Sequence, residues 1–143
     1  MFSTSHLHPM IVHFPIALIT IGFLADVLSM FFREEKCLSK TGLYLMVIGA
    51  LAAVTAWSTG QLFTNEPSQG AIVEIFEKHE TGALITMIIM LIGAAFRIWL
   101  VKNKKEESNL KWVSFGLYLI GFCAVTFTGF MGGTMVYNYM MAL

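Results

Sequence analysis

The chain has 143 residues, of which 57% are hydrophobic and only 13% charged, with a mean hydropathy of +0.72 and a formal net charge of zero. That balance lies far outside the soluble globular range and marks an integral membrane protein of a single domain, with no length left for a sizeable soluble unit. Nine basic residues against nine acidic ones provide no positive field, which excludes nucleic acid as a partner.

The first element begins within HLHPMIVHFPIAL, His6 to Leu18, a stretch holding three of the chain's four histidines. Residues Met1 to Ile11 contain no Lys or Arg, so the apolar block that follows lacks the basic start of a cleavable signal and is expected to stay as a span. His8 and His13 are five residues apart, about 140° round a regular helix, so they do not share a face unaided. Pro9 and Pro15 supply the irregularity: either Pro9 opens the helix or the turn between the prolines departs from it.

Four apolar blocks reach the roughly 20 residues that cross about 30 Å of hydrocarbon, at residues 9–32, 43–63, 79–101 and 112–139. An all-α fold follows, a four-transmembrane-helix bundle, because helices satisfy their own backbone in lipid. The first connector carries Arg33, Lys36 and Lys40, and the third carries Lys102, Lys104, Lys105 and Lys111, whereas the second has only Lys78. The positive-inside rule then predicts cytoplasmic first and third connectors, with both termini on the outer, periplasmic side. Cys37 in a connector and Cys123 in an apolar block are expected at different depths and unbridged. No CxxCH is present, which rules out covalent c-type haem attachment and leaves non-covalent haem open.

Depth counting brings separate pieces of sequence to one level. His13 lies about 28 Å of helix before Phe32, His79 about 31 Å before Leu100, and Gly132-Gly133 about 30 Å beyond Trp112. An imidazole ligates iron, zinc or copper through one nitrogen while the other needs an acceptor, for which Glu66, Glu77 and Glu80 are candidates. Gly132 and Gly133 leave room for the edge of a flat ligand, although the Gly129/Gly133 spacing is also that of close helix packing. Ala52, Ala56 and Gly60 read as a packing stripe. Most of the ten methionines read as flexible core filler, with Met10, Met131 and Met135 alone near the histidine depth. Asp26, about 20 Å below His13, reads as a structural carboxylate pairing with Arg97.

HPMIVHFPIAL resembles the opening HPxxVHFPIAL of a bacterial membrane family, domain-of-unknown-function family 2231. The resemblance extends to a histidine opening the third span, His79, and to a closing GGxxVY, here Gly132-Gly133-Thr134-Met135-Val136-Tyr137, so that it covers nearly the whole chain. His8, His13 and His79 match the family's histidines, whereas His6 does not and reads as incidental. Asn138 stands where the family usually has glycine. The resemblance implies the bacterial inner membrane and, because some members look like fusions to c-type cytochrome domains, redox work.

The reading expected from these observations is non-covalent haem b, with His13 and His79 as axial ligands from two helices and His8 close by. Phe14, Trp57, Phe63, Phe76 and Phe130 offer aromatic walls. Such a protein is an electron carrier or cofactor-binding subunit rather than a stand-alone enzyme. Its candidate partners are the lipid bilayer, a c-type cytochrome or other periplasmic redox protein, and further copies of the chain. The alternatives are a zinc or copper ion held by His8, His13 and His79 with Glu80, and a scaffold subunit whose histidines only wet the interface.

Overall fold

A computed structural model describes residues 7–139, and every regular element in that range is helical. Helix α1 spans Leu7–Ile11 and α2 spans His13–Phe31, separated by a turn at Val12; α3 spans Lys36–Phe63, α4 Ile72–Lys102 and α5 Leu110–Tyr139. Counting α1 and α2 together, four helical segments are long and apolar enough to cross a membrane. Each exceeds the span expected for it at one end or both, because a helix continues into the polar zone beyond the hydrocarbon. His79 therefore sits two turns inside α4 rather than at its start.

The break at Val12 is where Pro15 acts. Pro15 has no N–H to offer the Ile11 carbonyl, while the Val12 N–H still bonds the His8 carbonyl at 3.0 Å, so the helical bonding is interrupted there without the chain leaving helical dihedrals. Short connectors make neighbouring helices antiparallel. Each helix packs against its neighbours in sequence, and α5 closes the ring against α2. Helix α1 leans on α3, so His8, the far end of α3, the start of α4 and the end of α5 meet at one end of the bundle.

The middle of the bundle is mostly apolar. Ile19, Met46 and Met90 are fully buried there, joined by Ala50 and Val125. Towards the other end Phe23 stacks on Phe122, centroids 4.8 Å apart, and on Phe115 at 5.5 Å. Outward faces carry large apolar side chains such as Leu24, Leu51, Ile92 and Ile120, a surface suited to lipid. Cys37 and Cys123 are both exposed and free.

Asp26 is 5% exposed and is met by Arg97 of α4 through both guanidinium arms, Nη2 reaching Oδ1 at 2.7 Å and Nη1 bonding Oδ2. Arg97 Nη2 also donates to the Ser39 carbonyl at 3.1 Å, tying the start of α3 to α2 and α4. The pairing expected from sequence is present, and its fork geometry is the strong form of such contacts. Asp26→Asn or Arg97→Gln, each leaving a buried partner uncompensated, is expected to cost about 3–5 kcal/mol. Replacing both with leucine is expected to cost less than either single change. Thermal unfolding of the purified protein in detergent checks this ordering.

Candidate functional site

The histidine end of the bundle contains a cleft lined by His8, Trp57, Gly60, Thr64, His79 and Met135, with Gln61, Glu66, Phe76, Glu80 and Ala83 completing it. Its interior measures about 60 Å³, room for a few waters or one ion, and about 520 Å³ when counted out to its open mouth.

Each imidazole in the cleft is fixed through Nδ1. On α4, His79 Nδ1–H donates to the Thr128 carbonyl of α5 at 2.9 Å, which places the ring proton on Nδ1. The His8 ring is buried, and its Nδ1 lies 3.1 Å from Thr59 Oγ1. The Thr59 hydroxyl already donates to the Ala56 carbonyl at 2.9 Å, so it accepts here and His8 Nδ1 is the donor. In both neutral rings the lone pair is thus left on Nε2, and neither Nε2 has a protein hydrogen-bond partner among the described residues. This is the arrangement by which proteins orient ligating histidines.

Two glycines allow the rings to lie against helix backbone. A Cβ at Gly60 would stand 3.1 Å from His8 Cε1, and one at Gly132 would stand 3.2 Å from His79 Cε1, both tighter than ordinary packing. The space beside Gly132, where sequence suggested room for the edge of a flat ligand, is taken by the His79 ring, whereas nothing lies within 4 Å of the corresponding position at Gly133. Gly60, read from sequence as packing alone, is part of the site. Thr64 Oγ1, buried and without a partner, also faces the cleft. The Gln61 side chain bonds the Glu80 carboxylate across its rim.

His8 is the histidine beside His79, with ring centroids 6.4 Å apart and planes at 86°. His13 is elsewhere: it is exposed, it does not line the cleft, and its Nδ1 donates to the Pro9 carbonyl at 2.6 Å. The five-residue separation from His8 carries its ring round the helix, and the break at Val12 does not undo that rotation. His6 lies outside the described residues. Trp57 and Phe76 line the cleft, while Phe14 and Phe130 are exposed. Met135 lies in the cleft and is buried, whereas Met10 is exposed.

The spacing of the two rings constrains what fits between them. A metal–nitrogen bond of about 2.0 Å plus roughly 1.2 Å to the ring centre puts each centre about 3.2 Å from a shared ion. Opposed imidazoles then stand about 6.4 Å apart, and imidazoles at a tetrahedral angle about 5.2 Å. The centroid separation of 6.4 Å equals the value for the opposed case, and the rings stand edge to face with planes at 86°. No group of three or more His, Cys, Asp or Glu side chains able to hold a metal occurs among the described residues, so the three-histidine set with Glu80 is not assembled.

Fold and site together define a four-span membrane protein with a paired-imidazole cleft at one end of the bundle. The chain belongs to the family described as a predicted membrane protein, domain-of-unknown-function family 2231, whose family model matches residues 4–143. No curated protein and no solved structure matches it.

Nitrogen-15 spectra of histidine-labelled protein at mildly alkaline pH are expected to show His8 and His79 protonated at Nδ1 and bare at Nε2. Thr59→Val is expected to release this preference at His8 and leave His79 unchanged. A wild-type His8 protonated at Nε2 would contradict the hydrogen-bond assignment.

Proposed function

We propose that the protein binds haem b at the outer membrane–water boundary through His8 and His79 and passes single electrons there. The observation that carries this reading is a pair of imidazoles with centroids 6.4 Å apart, both anchored at Nδ1 and neither with an Nε2 partner among the described residues. Two protein ligands suffice for haem iron, because the macrocycle supplies the other four, whereas a bare zinc site wants three or four from the protein.

The size of the cleft bears on this fit. The interior of about 60 Å³ does not enclose a porphyrin, which belongs to the size class of roughly 300–1,000 Å³ pockets. The cleft would have to widen at its mouth for His8 and His79 to hold the group, so the reading rests on the imidazole pair and not on the size of the cavity. Haem supplies a one-electron couple there. His8 and His79 would hold the iron from α1 and α4, with Thr59 and the Thr128 carbonyl fixing the ring orientations. Trp57 and Phe76, which line the cleft, would limit water there. The open mouth of the cleft would suit exchange with a periplasmic redox protein such as a c-type cytochrome. The basic first and third connectors, at the other end of the bundle, support placing the cleft on the outer side.

The small interior and the buried Met135 favour a second reading, a single copper(I) ion between the same imidazoles with the thioether nearby, since soft ligands select that ion. A spectrum of detergent-purified protein from haem-sufficient cells, oxidised and then reduced with dithionite, separates the two. The first reading expects a Soret band and sharp α and β bands, lost in His8→Ala and in His79→Ala and retained in His13→Ala. A colourless protein sinks the haem reading, and copper bound in proportion to protein would then establish the second. Equal haem retention in all three variants would remove the ligand assignment.

A further inference from the structure

Inside the bundle and away from the histidine cleft, Tyr118 of α5 is the largest fully buried side chain, and its hydroxyl has no hydrogen-bond partner among the described residues. One turn earlier on the same face of α5, Ser114 is 5% exposed and its hydroxyl is also unpartnered. Two orphaned hydroxyls on adjacent turns, inside a membrane helix bundle, are not a stable end state, because no lipid group at that depth can replace the missing bonds.

Their surroundings are polar. The Tyr118 hydroxyl rests on the backbone of Gly22 in α2, where any side chain would collide with it. Asp26, one turn further along α2, lays Oδ1 over Gly42 of α3 in the same manner, and a Cβ at Gly42 would stand 3.3 Å from the Gly22 carbonyl. The hydroxyl and the carboxylate thus flank one close contact of two helices without bonding each other. Arg97 completes the group and reaches the Ser39 carbonyl at the connector.

We propose that this cluster is a water-binding site: one or more waters bridge Tyr118 Oη, Ser114 Oγ and the Asp26–Arg97 pair. A buried water commonly satisfies two to four otherwise unpaired polar groups, and these residues supply that number. The site forms the top of a polar thread that runs from Ser39 through Arg97 and Asp26 to Tyr118. It ends where Tyr118 joins the apolar core of Ile19, Met46 and Met90. This inference is independent of what the histidines bind.

Tyr118→Phe keeps the packing and removes only the hydroxyl, so the sign of its effect on the thermal midpoint in detergent is decisive. A water-bridged hydroxyl predicts a midpoint lowered by about 3 °C or more, with Ser114→Ala lowering it too and the double variant losing less than the sum. An unchanged or raised midpoint for Tyr118→Phe means the hydroxyl is unbonded and overturns the proposal. A structure resolving ordered water supplies the second readout. Water within hydrogen-bond distance of Oη and of a second member of the cluster is expected, and a direct bond from Oη to Asp26 would overturn the assignment.

Discussion

Inside hydrocarbon a polar group must find its partner within the protein, and that requirement governs where every polar side chain of this bundle sits. Asp26 is placed deep in α2 only because Arg97 crosses from α4 to meet it with both arms of its guanidinium. Arg97 in turn holds the start of α3 through Ser39. Three helices are thereby fixed in register by one carboxylate, and apolar packing above it completes the bundle. The same requirement acts at the other end, where His8 and His79 each satisfy Nδ1 on a neighbouring helix. Left without a partner there, among the described residues, are the two Nε2 atoms and the Thr64 hydroxyl.

The fold was largely legible because membrane solvation writes itself into composition. The length of each apolar block announced a helix, and the Asp26–Arg97 pair followed from the rarity of charges at that depth. The helix ends were less legible. Glu74, Glu77 and Lys78 look like loop in a hydropathy profile, yet they continue α4 for two turns before His79, since nothing in their chemistry breaks a helix.

Depth counting put the histidines and Gly132 at one level, and the structure brings His8, His79 and Gly132 together there. Depth does not give azimuth, however. Which of His8 and His13 turns inward depends on how the chain passes the break at Val12, and the positions of Pro9 and Pro15 signal a break without its direction. Thr59, Gly60 and Thr128 were missed for a related reason. Threonine and glycine are ordinary in transmembrane helices, and only the ring of a histidine from another helix gives them a role. Their one sequence signal is that they stand within reach of the histidine depth.

The two polar regions are separated by an apolar layer of Ile19, Met46 and Met90. The central claim of the proposed function is that His8 and His79 would both ligate one haem iron. Low-temperature electron paramagnetic resonance of the oxidised, haem-loaded protein tests it directly. The account predicts a low-spin ferric signal with the strong anisotropy of nearly perpendicular axial imidazoles, converted to another spin state or ligand signature when either histidine is changed to methionine. A high-spin signal in the unaltered protein, or a low-spin signal indifferent to His8, would contradict it.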